Sequence, residues 1–239
     1  MVEVFDVSKV FGDYIVLDGV SFKVDNGENL VIFGRSGSGK SVLLKCIVQL
    51  MKPDAGKIFI DGEDVLSLSL KKLNELRKQI GFLFQSAALY DSMSVRENLE
   101  FPLIRNFKYT RKEIEAKVKN VLEKVSLEEA IDKMPSQLSG GMKKRIGLAR
   151  TIITEPKLIL YDEPTTGLDP ITTKEMSNLI LELQKDLNTT SLIVTHDPIC
   201  AKIIASSAVV LKDGKIMYEG DINSLTTAQE PFLKNFFSR

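Results

Sequence analysis

The sequence predicts an α/β fold with parallel strands at its centre, and three observations predict it. An apolar run, NLVIF over 29–33, is suited to a buried strand and leads directly into GRSGSGKS, Gly34 to Ser41. Three more short apolar runs, at 80–84, 158–161 and 191–195, each end in polar residues capable of chemistry: Gln85, Asp162 with Glu163, and His196. Stretches with helical spacing, such as VLLKCIVQL at 42–50, separate these runs. Sheets of this kind gather ligands at the carboxyl ends of their strands.

Gly34 to Ser41 follows the phosphate-cradling pattern of Gly, four residues, then Gly-Lys-Ser. Gly34, Gly37 and Gly39, with Arg35, Ser36 and Ser38 between them, let successive backbone N–H groups turn toward one anion, and the helix start adds its positive dipole end. Lys40 is expected at the β- and γ-phosphates of a nucleotide, and the Ser41 hydroxyl on Mg²⁺.

Upstream, residues 2–11 and 15–24 carry β-type side chains, broken by Gly12-Asp13 and closed by Asn26-Gly27, which predicts antiparallel strands. Phe11 and Tyr14 sit at the turn. An aromatic there either stacks on a purine, worth about 1–3 kcal/mol, or packs locally, with Phe11 the better stacking candidate.

Downstream, 57–60 reads as a strand and 70–78 as a charged helix. The strand at 80–84 delivers Gln85, a residue able to bond a metal-bound water and a moving segment. Residues 86–103 mix apolar and polar side chains without clean period two and receive no element. Residues 110–125 form a helix with Ile114, Val118, Val121, Leu122 and Val125 on one face.

LSGGM at 138–142 opens a further helix, with Ser139 as its cap and Gly140 and Gly141 exposing N–H groups to an anion. Lys143, Lys144 and Arg145 in its first turn oppose the helix dipole, a mild argument for a phosphate nearby. Asp162 and Glu163 point in different directions from a strand end, so one can hold the Mg²⁺ shell while the other faces an attacking water. Residues 165–170, which include Asp169, form a turn before a helix at 171–187. His196 is the only histidine and has no cysteine cluster beside it, which excludes zinc and favours a γ-phosphate contact. Residues 208–212 and 215–219 read as a hairpin, and Phe232, Leu233, Phe236 and Phe237 either pack on the domain or dock elsewhere.

Across 239 residues there are 32 acidic and 32 basic side chains, which gives no general pull toward nucleic acid or anionic lipid. With no Pro/Ser-rich linker, one domain spanning 1–239 is expected. Cys46 and Cys200 lie in apolar helical stretches and read as reduced core thiols, favouring a cytosolic setting. No run approaches the roughly 18 apolar residues of a membrane span, so a membrane role would be exercised through a partner.

Taken together, the six motifs resemble the ABC-type ATPases in order and over nearly the whole chain. GRSGSGKS is similar to their Walker A, Gln85 to their Q-loop residue, LSGGM to their signature, LILYDE to Walker B with its catalytic Glu163, Asp169 to the D-loop aspartate and His196 to the switch histidine. Phe11 falls where the family places its adenine-stacking aromatic, and Met142 stands where the signature commonly has Gln.

The resemblance implies a P-loop NTPase fold: a RecA-like core with a mixed sheet, an antiparallel β subdomain and a helical subdomain at about 88–154. It implies ATP and Mg²⁺ as ligands, with Ser41, Gln85 and Asp162 around the metal. It also implies a head-to-tail homodimer in which each ATP lies between one Walker A and the other chain's Ser139 to Gly141. Within the family, FQSAALYDSMSVRENLEFPL, LSGGMKKRIGLAR and LYDEPTTGLDP look most like the ATPases of Mla-type, MCE-associated lipid transport systems. That implies a permease, an MCE-type lipid-binding protein, a peripheral place on the cytoplasmic face of the inner membrane, and no nucleic acid. The alternatives are lipoprotein release, import of a polar nutrient, or a soluble ABC ATPase outside transport.

Overall fold

The computed structural model describes residues 1–227. They form two sheets. The first is antiparallel, in the order β2 (Tyr14–Val24), β1 (Val2–Phe11), β4 (Ala55–Ile60) and β5 (Glu63–Asp64). The second runs β10 (Lys215–Gly220), β9 (Ser207–Lys212), β3 (Asn29–Phe33), β8 (Thr190–Thr195), β7 (Leu158–Asp162) and β6 (Ile80–Leu83). Its pairs are parallel except for the β9–β10 hairpin, so the sheet is mixed, as expected.

The strands β3, β7 and β8 are buried at every residue, as parallel strands covered on both faces must be. Alternation divides their side chains between two cores. Leu30, Ile32, Leu160 and Val194 join α1 (Lys40–Ile47) and the antiparallel sheet on one side. Val31, Phe33, Tyr161 and Ile193 meet the helices on the other. Each fully buried Leu or Ile contributes roughly 1.5–3 kcal/mol through its transfer from water.

The remaining helices are α2 (Leu70–Arg77), α3 (Val95–Asn106), α4 (Arg111–Lys124), α5 (Gly140–Ile152), α6 (Pro170–Leu187), α7 (Pro198–Ile204) and α8 (Ile222–Thr227). All five apolar residues expected on one face of α4 are buried. Helices α3, α4 and α5 pack on one another within residues 88–154 and share the core that covers one face of the parallel sheet.

The helix α3 corrects the sequence reading, which left 86–103 without an element. Ser94 and Glu97 form a reciprocal capping box: Ser94 N–H donates to Glu97 Oε2 at 2.7 Å, and Glu97 N–H donates to Ser94 Oγ at 3.3 Å. Val95, Leu99 and Leu103, four residues apart, are all buried. Pro102 inside the helix lacks a donor and obscured that period.

Cys46 lies in α1 and Cys200 in α7, both free and buried. Burial pushes their thiols up to about 11 and about 12. No described helix is long and apolar enough to cross a membrane. Phe232, Leu233, Phe236 and Phe237 lie outside the described residues.

Candidate nucleotide site

The loop from Gly34 to Gly39 joins β3 to α1 and packs against β2 and β9. A Cβ on Gly39, which has φ 98°, would lie 2.7 Å from the Val16 carbonyl. One on Gly34 would lie 2.4 Å from the Leu211 carbonyl. Only glycine allows that approach. Gly39 caps α1 without a side-chain hydrogen bond, which leaves the first N–H groups of the helix available to an anion.

Lys40 is 4% exposed. Its Nζ donates to the Gly34 carbonyl at 2.9 Å and to the Arg35 carbonyl at 3.1 Å, and pairs with Glu163 Oε1 at 3.2 Å. The next residue, Ser41, donates from Oγ to Asp162 Oδ1 at 2.6 Å. Asp162 is buried, and that burial raises its carboxyl above the ordinary range, while the Ser41 hydroxyl and the lysines Lys45 and Lys40 oppose the rise.

A hydroxyl and a single carboxylate suit Mg²⁺, which binds oxygen and keeps waters and substrate phosphates in its shell. A cation beside Asp162 would also offset the unfavourable burial of its charge. Among the described residues, no group of three or more His, Cys, Asp or Glu could hold a metal ion.

Glu163 follows β7 with φ 53°, in the left-handed region. Its N–H donates to the Val194 carbonyl at 3.0 Å, which fixes it against β8. Its Oε2 lies 2.7 Å from His196 Nδ1 and accepts from Thr166 Oγ1 at 3.2 Å. A carboxylate only accepts, so Nδ1 carries the hydrogen in this contact. Gln85, two residues beyond β6, is exposed.

Lys40, Ser41, Gln85, Glu163 and His196 thus line one cavity of about 490 Å³, together with Ser36, Gly37 and Gly39. An adjoining space of about 710 Å³ shares Ser36 and Gly37 with it and adds Arg35, Ser38, Tyr14 and the Asp213–Gly214 turn. Asp162 meets the cavity through Ser41. Phe11, the expected stacking residue, lines neither space: it is 46% exposed, with Lys9 Nζ 5.4 Å above its ring. The aromatic that does border the larger space is Tyr14, its partner in the β1–β2 register.

Ser139, Gly140, Gly141 and Asp169 border neither cavity. Ser139 Oγ accepts from Met142 N–H at 3.2 Å and caps α5, as expected. Asp169 caps α6, accepting from the N–H groups of Ile171 at 2.9 Å and Thr172 at 3.0 Å, and the Thr172 contacts hold its carboxyl low. A Cβ on Gly141 would lie 3.2 Å from Thr172 Cγ2, so the two helix starts are neighbours.

The basic run after the signature does not gather at that helix start. Lys144 turns inward to the carbonyls of Gln85 and Glu163, and Arg145 pairs with Glu175 at 2.9 Å. Neither Lys144 nor Arg145 therefore marks an anion at the start of α5. Sequence reasoning also missed Thr166, whose only signal was its place three residues after Glu163.

A family model described as "ABC transporter" matches residues 17–166, more than half of the chain. The probable ribonucleotide transport ATP-binding protein mkl of Mycobacterium leprae is 38% identical over 99% of this chain and 68% of its own length. The protein TRIGALACTOSYLDIACYLGLYCEROL 3, chloroplastic, of Arabidopsis thaliana is 38% identical over 99% of this chain and 73% of its own. The methionine import ATP-binding protein MetN 1 of Bacillus thuringiensis is 39% identical over 95% and 68%. A solved dimeric structure of the ATP-binding cassette MJ0796, in a post-hydrolysis state with ADP and Pi, superposes with TM-score 0.85 at 33% identity, covering 93% of this chain and 99% of that one. With a phosphate loop, a Ser41–Asp162 pair and a Glu163–His196 pair around one cavity, the chain belongs to the ABC transporter family as an ATP-binding subunit, an ATPase that uses ATP with Mg²⁺.

Proposed function

We propose that this subunit energises the transport of a lipid through a partner permease, working as a head-to-tail homodimer on the cytoplasmic face of the inner membrane. The observation that carries the catalytic part is the convergence of Lys40, Ser41, Gln85, Glu163 and His196 on one cavity while Ser139–Gly141 lie outside it. A helix start capped by Ser139, with Gly140 and Gly141 as its first residues and no use in its own cavity, is free to meet the nucleotide of a second copy. Glu163 would take a proton from the attacking water, and His196, which holds its carboxylate, would meet the γ-phosphate. Lys40 would face the β- and γ-phosphates, Tyr14 or Phe11 the base, and Asp169 the dimer seam. When bound, Mg²⁺ held by Ser41 and Asp162 near Gln85 would neutralise charge on the phosphates.

Two observations support the lipid reading: the wording of the segment after Gln85 with Met142 in the signature, and a relative named for trigalactosyldiacylglycerol that aligns over 99% of the chain. An MCE-type protein beyond the permease completes the proposal. The names of the mkl and MetN relatives favour a second reading, transport of a ribonucleotide or import of methionine. Copurification from membranes, with mass spectrometry of bound lipid and partners, separates them. An integral membrane protein, an MCE protein and phospholipid are expected; a permease with a soluble-solute receptor and no lipid would overturn the lipid reading. Photocrosslinkers placed at 87–91 are expected to capture the permease, and capture of soluble proteins alone would remove the membrane partner.

A further inference from the structure

Lys144 is a charged side chain that the fold buries, 7% exposed, and the roles assigned so far leave it idle. It leaves α5 little more than one turn after Ser139. Its Nζ donates to the Gln85 carbonyl at 2.5 Å and to the Glu163 carbonyl at 3.3 Å. Those carbonyls lie just past the ends of β6 and β7, which are parallel neighbours. A buried ammonium is unfavourable unless its donors are used, and a methionine of similar length would fill the same space without that cost. Burial lowers its pKa, and Glu163 and Asp162 pull the other way.

The two groups it holds are those that most need holding. Glu163 has φ 53°, and beyond Gln85 the chain carries two successive left-handed residues, Ala87 at 61° and Ala88 at 48°. Both segments end in the side chains that face the water and the metal. Both are tied by one ammonium to the helix whose first residues are Gly140 and Gly141.

We propose that Lys144 is a positioning residue for hydrolysis: it locks the backbones of Gln85 and Glu163 to α5, so that the glutamate is correctly aimed only while the signature helix is seated. The proposal rests on the reading of Glu163 as the group that activates water. It predicts a selective loss of turnover, because Lys144 lines neither cavity and reaches the site only through the backbone carbonyls of Gln85 and Glu163, away from the phosphate loop.

The test compares Lys144→Met, Lys144→Arg and the unaltered full chain in Mg-ATP, with phosphate release, affinity for a fluorescent non-hydrolysable ATP analogue, and thermal melting. The expected result for Lys144→Met is a kcat lower by about tenfold or more, with KM and analogue affinity changed by less than about twofold. Lys144→Arg, which keeps a pair of donors, is expected to restore most of kcat. Unchanged kcat in folded Lys144→Met, a loss matched by weaker nucleotide binding, or no advantage of Arg over Met would each overturn the proposal. If Lys144→Met does not fold, Lys144→Gln replaces it, and equal kcat in the Gln and Arg variants counts against the role. Glu163→Gln in the same assay separates the two readings: full turnover there removes the reading of Glu163 itself, whereas an inactive Glu163→Gln beside a fully active Lys144→Met removes only this proposal.

Discussion

Glu163 Oε2 and His196 Nδ1 lie 2.7 Å apart, and this contact joins the residues that follow β7 and β8 into one unit. Glu163→Gln keeps the volume and removes the basic oxygen. Turnover is expected to fall by about 10²–10⁴-fold, the usual range for loss of a general base, with ATP binding retained. Phosphate release and equilibrium binding on the same sample check it, and accumulation of a stable ATP-bound dimer by light scattering is the accompanying sign.

Lys40→Ala removes two bonds to loop carbonyls and the ion pair with Glu163. A charged hydrogen bond to phosphate is worth about 1.5–3 kcal/mol, so nucleotide affinity is expected to fall by about 10- to 100-fold. Calorimetric titration with a non-hydrolysable analogue measures this, and unchanged affinity would remove Lys40 from the phosphates.

Gly147 in α5 lies against the segment after Gln85. A Cβ there would come 2.7 Å from Ala87 Cβ. Gly147→Ala is expected to cost about 1–3 kcal/mol through overpacking, and the melting temperature should drop by about 2–4 °C per kcal/mol. Because Ala87 itself has φ 61°, the strain falls on the loop that carries Gln85, so ATPase activity should fall further than stability alone explains. A melting curve beside a kcat measurement decides it.

Three helix caps make the fold acid-sensitive. Glu97 and Glu113 accept from the backbone N–H groups of Ser94 and Thr110, and Asp169 accepts first from the Thr172 hydroxyl; all three carboxyls are held below their ordinary values. A depressed carboxyl adds stability above its unfolded pKa, near 4 for Asp and Glu, and that stability is lost as pH falls through the folded value. Denaturant unfolding is therefore expected to be flat above about pH 5 and to weaken below about pH 4. The double variant Glu97→Gln, Glu113→Gln, which removes two of the titrating carboxyls, should show a shallower decline; an unchanged slope would place the acid sensitivity elsewhere.

The strands of the parallel sheet, and the polar residues that follow them, were legible because burial on both faces leaves continuous apolar runs, and the phosphate loop leaves a glycine spacing that few other structures need. The hairpin β9–β10 was legible from Asp213-Gly214. What escaped was decided by tertiary packing. Pro102 hid α3 although Ser94 and Glu97 signalled its start. Lys144 read as one of three first-turn cations with a phosphate nearby, because nothing local distinguishes a lysine that turns inward from one that turns out. Where Phe11 and Tyr14 sit relative to the phosphate loop depends on how the β1–β2 turn lies over it, which no local pattern encodes.

Both native cysteines are buried, with thiols titrating near 11 and 12. At neutral pH neither presents an accessible thiolate, so the unaltered polypeptide is already a quiet background for maleimide chemistry. A single cysteine introduced on the exposed Ser139 edge, or beside Gln85, can carry a spin label or fluorophore without first stripping the native sulfur, and distances between two copies become directly measurable.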